Sequence, residues 1–515
     1  MKKFTALLFC FASSIAYAVE ADLAKEQEIQ SQYEEIAYTF DEPYIILNPY
    51  KRNPLSAIIK FPTEKEAQIE LTLFSKEGKA ELTHLFEEFK LEHEIPVLGL
   101  YPNHENKIQL TAIYNDGTKK TTTHNLLTPI INKRVLYLVQ NKEDTSQHYH
   151  YLHGGIVFDE MGSIRLSFKP EYEMLYYLNG TFVAEDRNLG LIRYNMLGKK
   201  EQVYSWPKDF TSFTHGLTQK PNKNYLAIGS FNNQKATFGS KDAQTQREFV
   251  IEIDHKTGEM VNKIDLAELL NPDRSVTIKS DTKNYGLNNW CHINSVDYNQ
   301  EDNSIVVSCR HVGLIKINEK TNTLDFVVAG HKGFEKSGRN GTGPSLSNNL
   351  LTALDKLGEP LPETVQNGTQ SYPDFKWPTK THDAKTLGNG IYSIFDNAGT
   401  LYDKSVVSTP NSNAQVFKID EKQRTIQSLW FEPLGLYSDS GSSVIYEPQN
   451  NKVVVYLSVV KDSEQQGIAT GKLFRYDLTS HKKMFEATIY RGGEIYFYGI
   501  MPFSFYNKGT TLWKK

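Results

Sequence analysis

The chain has 515 residues, enough for a large core and more than one domain. Its net charge of -4, with a pI near 6.4 and no polybasic run, argues against a nucleic-acid partner. With 39% apolar residues and a mean hydropathy of -0.49 the profile is that of a soluble protein, and the 29 Tyr and 27 Phe tilt it towards an all-β fold.

The N-terminus reads as a secretory signal over residues 1–18. Lys2 and Lys3 supply the positive start, Phe4 to Ile15 is too short to span a bilayer, and Ala16-Tyr17-Ala18 is a small-x-small cleavage site. No later segment is a membrane span, so the expected destination is a bacterial periplasm. Cys10 leaves with the signal. Cys291 and Cys309 remain, and in an oxidising compartment an even count permits a disulfide; two buried free thiols are the alternative. The hairpin between the two is expected to bring them close.

A short helical stretch, Ala21 to Ile36, comes next, within a small N-terminal β-sandwich domain expected over residues 19–135. Leu55 to Phe61, Ile69 to Phe74 and Ile108 to Tyr114 are strand-like runs, Asn115-Asp116-Gly117 is a hairpin turn, and Glu81 to Glu92 interrupts them with a helical pattern.

Residues 136–515 carry an internal repeat. Six apolar runs end in Asp or Asn before a turn: Val157-Phe158-Asp159, Ile192 to Asn195, Ile251 to Asp254, Ile315 to Asn318, Phe417 to Asp420 and Phe474 to Asp477. The Asx side chain suits such a turn because it bonds the backbone two residues on. Six strand-turn-strand units without long helices predict a six-bladed β-propeller; an array of β-sandwiches explains the irregular spacing less well. The longest gap holds an insertion, Glu335 to Lys380, whose aromatic end Tyr372 to Trp377 is expected to lie over a bound ring.

A second repeat lies upstream of four of these turns. His215, His292, His382 and Ser442 each open a strand, leading to the runs at Tyr225, Ser304, Gly390 and Lys452. Equivalent strands of successive blades would bring three imidazoles together in the central channel. Arg310 ends the strand that hairpins back from His292, and its guanidinium fork matches the oxygens of sulfate or phosphate. One neutral imidazole can attack such an ester and another can protonate the leaving oxygen. Three histidines are also a common zinc set, but Arg310 beside a dication is unfavourable, so no metal is expected. His148, His150 and His153 read as a solvated strand. Gly341-Thr342-Gly343 is too weak a motif to hold a nucleotide, and no nucleotide cofactor is expected. A non-catalytic binding or scaffolding propeller is the alternative, and it gives no reason for an arginine among the histidines.

The runs Phe213 to Gly216, Cys291 to His311 and Thr381 to Asn397 resemble the bacterial nucleotide-independent arylsulfate sulfotransferases. The resemblance implies a ping-pong reaction, in which a phenolic sulfate gives its sulfuryl group to a histidine and a second phenol collects it. It puts the nucleophile at His382, other catalytic groups at His215, His292 and Arg310, and a sulfate-holding residue at Asn294. It also implies a homodimer. Some members carry a cysteine pair in the loop before the nucleophile, whereas Glu335 to Lys380 has none.

Overall fold

A computed structural model of the chain describes residues 19–506 apart from short stretches, of which 275–288, 400–408 and 461–468 are the longest. The signal sequence read at 1–18 lies outside the described residues. A helix covers 19–34, and strands dominate thereafter. No helix among the described residues is long and apolar enough to cross a membrane.

The chain divides into two compact units. The first holds Met1–Tyr137, Ser146–Ser205 and Pro502–Lys515. Its N-terminal part is one five-stranded sheet built around the 18-residue strand Ala57–Phe74. Two runs that read as separate strands are therefore one strand, whose register breaks between Pro62 and Ala67. Ahead of the break it pairs with Tyr44–Leu47, beyond it with Glu105–Tyr114, and along its length with Ala80–Val97. Ala57, Ile59, Phe61, Ala67, Ile69, Leu71 and Leu73 alternate into one core, the period-2 burial that a one-faced sheet requires.

The helical pattern at Glu81 to Glu92 is corrected: those residues belong to the strand Ala80–Val97. Leu82 and Phe86 pack on the core, and thirteen paired positions along Ala57–Phe74 override the local helical signal. The predicted turn at Asn115-Asp116-Gly117 joins Glu105–Tyr114 to Lys119–Leu127, with Gly117 at φ +80° and Asp116 Oδ1 accepting from Thr118 N.

The rest of the first unit holds the sheets containing Tyr149–Leu152 and Leu175–Leu178. His150, in the strand Tyr149–Leu152, is buried rather than solvated, with the buried Glu160 3.3 Å from its Nε2; His148 lies outside the described residues.

The second unit, Leu138–Thr145 with Trp206–Met501, holds a two-stranded sheet and four larger sheets. The first strands of these four are Phe210–Gln219, Ile293–Asn299, Thr381–Thr386 and Ser443–Glu447. In these four larger sheets and in the two containing Tyr149–Leu152 and Leu175–Leu178, the predicted Asx residue closes the third strand. Each side chain accepts from backbone N–H groups of its turn: Asp159 from Met161, Asn195 from Leu197, Asp254 from Lys256, Asn318 from Thr321, Asp420 from Lys422 and Asp477 from Ser480.

The aromatic end of the insertion packs into a core instead of lying open over a ring. Phe375 and Trp377 are buried in a core with Val365, Tyr392 and Phe417, and Trp377 Nε1 donates to Val365 O at 2.8 Å. Burying a Trp and a Phe with their polar demand satisfied outweighs leaving them as an open lid. The strand Thr352–Leu354 of the insertion adds in parallel to Thr425–Pro433 at the sheet edge.

Candidate active site

The site lies wholly within the second unit, where the first strands of two neighbouring sheets run side by side. Ser295 Oγ accepts from Ala384 N at 2.9 Å, and Asp297 Oδ2 accepts from Thr386 N at 3.0 Å. Next to these ties both strands shift register, Ile293–Asn299 between Ile293 and Ser295 and Thr381–Thr386 between His382 and Lys385. The strand carrying His215 shifts likewise between Phe213 and Leu217. Such bulges re-aim side chains, and here each falls on or beside a histidine of the second repeat. His292 has φ 53° and Asp383 φ 50°, left-handed conformations that non-glycine residues seldom adopt.

Arg310 and His382 are fixed to each other through the backbone. Thr381 N donates to Arg310 O at 3.2 Å, and Arg310 N to His292 O at 3.2 Å. The Thr381 hydroxyl donates to Cys309 O at 2.8 Å and accepts from Ser308 Oγ at 2.9 Å. Asn294, wholly buried, donates from Nδ2 to Thr381 O at 2.6 Å, so one of its amide hydrogens braces the strand that carries His382. Cys291 and Cys309 have their Cα atoms 4.9 Å apart and are joined as a disulfide that closes the same hairpin, directly beside His292 and Arg310.

The segment entering His382 hangs on Asp396. This buried carboxylate accepts from Thr379 N, Lys380 N and Ala398 N, each at 3.0 Å, and from Lys376 Nζ at 3.1 Å. Burial alone pushes its pKa up, but Lys376 and the three N–H groups outweigh burial and hold it below the usual carboxylate value.

The imidazoles gather around Tyr498. The His215 ring stacks on it at 4.5 Å between centroids, and His382 meets its edge at 5.6 Å. His215 and His292 are 6.3 Å apart, and Asn289 Nδ2 lies 2.5 Å from His292 Nδ1. His382 is 1% exposed and hydrogen-bonded through Nδ1 to Asn397 Oδ1, whereas His215, His292 and Arg310 are half-buried. Arg310 Nη2 donates to Asp439 O at 2.7 Å, and its buried Nε has no hydrogen-bond partner. A guanidinium with a spare N–H beside imidazoles is a receptor for an oxyanion. Burial first, and then the Arg310 charge, hold the His382 pKa well below the ordinary value of 6.5. The ring is therefore neutral at neutral pH.

His215, His292, Arg310, His382 and Asn294 thus come together in one place. Three further neighbours were not foreseen. Tyr498 reaches the site from a distant part of the chain. Asn397 follows its strand by one residue and has no periodic signature. His311 follows Arg310 directly; it is buried, 5.9 Å from the His292 ring, and burial first and Arg310 next push its pKa down to about 3.

His311 carries a stability prediction. A folded pKa of about 3 against 6.5 unfolded favours the neutral ring, so its contribution is complete above pH 6.5 and is lost as the pH falls towards 3. Between pH 7 and pH 5 the loss is about 2 kcal/mol. Urea midpoints at the two pH values should differ accordingly in the wild type and by less in His311→Gln.

Among the described residues no group of histidine, cysteine and carboxylate side chains is arranged to hold a metal. The family model described as Arylsulfotransferase (ASST) matches residues 123–497, and that described as Arylsulfotransferase Ig-like domain matches 44–129. Two curated relatives, both named arylsulfate sulfotransferase AssT, come from Escherichia coli O6:H1 (strain CFT073) and Lelliottia amnigena. They are 24% identical over 487 and 486 residues, covering 75% of this chain and 79% of their own lengths. A solved structure described as a putative TolB from Agrobacterium tumefaciens aligns over 73% of this chain and all of its own, with 7% identity and a TM-score of 0.34, too low to bear on the fold.

Proposed function

Because the chain belongs to the arylsulfotransferase (ASST) family, we propose that it moves a sulfuryl group from a phenolic sulfate ester to a second phenol in two steps through His382. The chain is an aryl-sulfate sulfotransferase, and no nucleotide donor enters this scheme. One observation carries the assignment of the nucleophile: of the three histidines of the repeat, His382 is the wholly buried one, kept neutral beside a guanidinium with an unsatisfied N–H.

In the first step the His382 lone pair forms an N–S bond, the S–O bond to the phenol breaks, and its electron pair leaves with the phenolic oxygen. His292 supplies the proton. It does so as an imidazolium, which donates from Nε2 and is left as the neutral ring; the Asn289 amide lies 2.5 Å from its Nδ1. Arg310 and His215 face the charge of the transferring group, in a site where burial strengthens each interaction. In the second step an acceptor phenol gives its proton back to His292, attacks sulfur and breaks the N–S bond. Asn294, through its remaining amide hydrogen, is assigned to hold a sulfuryl oxygen.

The same reading makes these six sheets the blades of a propeller over residues 136–515, which the six matching Asx turns support, and residues 19–135 a sandwich domain, which the match of 44–129 to the Ig-like domain model supports. It also holds the chain to be exported to the periplasm through the signal at 1–18 and to act as a homodimer.

The test is to mix the protein with an aryl sulfate and a phenol, without nucleotide, and follow release of the donor phenol. Acceptor-dependent release is expected; its absence across a varied donor panel would overturn the reading. His292→Asn should be slowed about 10²-fold with a poor phenol leaving group and far less with a nitrophenyl sulfate, whose leaving oxygen needs little protonation. Equal slowing with both donors would remove His292 from the acid role.

A further inference from the structure

The Asn397 side chain is wholly buried, and its orientation is set by what surrounds it. Nδ2 lies 2.8 Å from Ser438 O and 3.4 Å from Gly441 O. Carbonyl oxygens only accept, so this end of the amide has to be the NH2 group. The other end, Oδ1, faces His382 Nδ1. An amide oxygen also only accepts, so Nδ1 has to carry a proton. In a neutral ring that is the only ring N–H, and the lone pair then sits on Nε2.

A buried serine network holds the amide in this pose. Ser412 Oγ donates to Asn397 O at 2.9 Å and accepts from Ser438 N at 2.9 Å. Ser438 Oγ and Ser442 Oγ are 2.9 Å apart, and Ser442 Oγ accepts from Ser458 N at 3.0 Å. Ser442 occupies the fourth position of the histidine repeat. Its hydroxyl is used in supporting the loop that orients Asn397, which gives a physical reason for serine where the other three sheets carry histidine.

We propose that Asn397 is a positioning residue that holds His382 in the Nδ1–H tautomer, so that Nε2 is the atom which takes up the sulfuryl group. The catalytic consequence rests on the proposed role of His382, whereas the tautomer does not. When Nε2 forms its bond to sulfur, the electron pair of the broken S–O bond leaves with the phenol oxygen and the Nδ1 proton stays in place. The ring becomes cationic, and its N–H bond to the Asn397 oxygen becomes charge-assisted. Asn397 thus also favours the covalent intermediate over the free enzyme.

The test is nitrogen NMR on full-length protein with 15N-labelled histidine, with the His382 signals assigned by their loss in His382→Asn. The expected result is a pyrrole-type Nδ1 and a pyridine-type Nε2 at pH 7; the reverse pattern overturns the proposal. Asn397→Ala should mix the two tautomers and lower kcat about 10²-fold while the donor KM changes little. An unchanged tautomer and kcat in that variant would also overturn it. If the alanine variant does not fold, Asn397→Asp keeps an acceptor at Nδ1. There the Nε2 lone pair should persist and the acid limb of kcat should move to higher pH, because a carboxylate raises the imidazole pKa. An Nδ1–H tautomer with sulfuryl found elsewhere would remove the nucleophile and leave the tautomer standing. Sulfuryl on His382 with an Nε2–H resting tautomer would remove the role of Asn397 alone.

Discussion

His382→Asn should release no burst of phenol when mixed with an aryl sulfate in the absence of an acceptor. The wild type should release about one equivalent per chain, because a covalent two-step mechanism stops at the sulfuryl-enzyme when nothing collects the group. Turnover with an acceptor should fall roughly 10⁴-fold or more, since removal of a nucleophile leaves only the residual rate supplied by binding and charge. Asn at 382 is smaller than His but is able to donate to Asn397 Oδ1, so the buried amide stays satisfied and the fold should persist. Rapid-quench phenol measurement, with a melting curve as the control for folding, checks both points. A full burst in this variant would exclude His382 as the group that carries the sulfuryl.

Arg310→Met should cost about 10²–10³-fold in both half-reactions, the range found when a preorganised donor to a developing charge is removed. Methionine fills part of the same volume and leaves no buried charge; Asp439 O loses its donor. Arg310→Lys should recover little of the loss, because an ammonium does not reproduce the guanidinium fork. A second readout separates electrostatics from packing. The Arg310 charge is one of the causes that depress the His382 pKa, second to burial. Its removal should therefore raise that pKa, and the acid limb of the donor half-reaction should move to higher pH in Arg310→Met. A rate loss with an unmoved limb would mean that Arg310 acts through structure alone.

The features legible in the sequence are those with local causes. An Asx turn is made by a side chain and the backbone two to four residues on, so all six third strands announce themselves. The matched placement of His215, His292 and His382 is likewise a property of each strand and its bulge. Residues 81–92 were misread because strand identity there is set by pairing with Ala57–Phe74 and not by local propensity. Tyr372 to Trp377 looked like a lid because an aromatic cluster in an insertion carries no mark of the core it fills. Tyr498 and Asn397 escaped notice for a related reason. Tyr498 is more than a hundred residues from either histidine it touches. The role of Asn397 arises only from carbonyls at Ser438 and Gly441, brought in by the next sheet.

The central claim is that sulfuryl rests on His382 between the two half-reactions. The most direct measurement is to incubate the protein with an aryl sulfate and no acceptor, quench at high pH to preserve the N–S bond, digest, and map the added sulfuryl mass by peptide sequencing. The account predicts label on the peptide containing His382, discharged by a chase of phenol. Label on a peptide containing His215 or His292, discharged by the same chase, would contradict it.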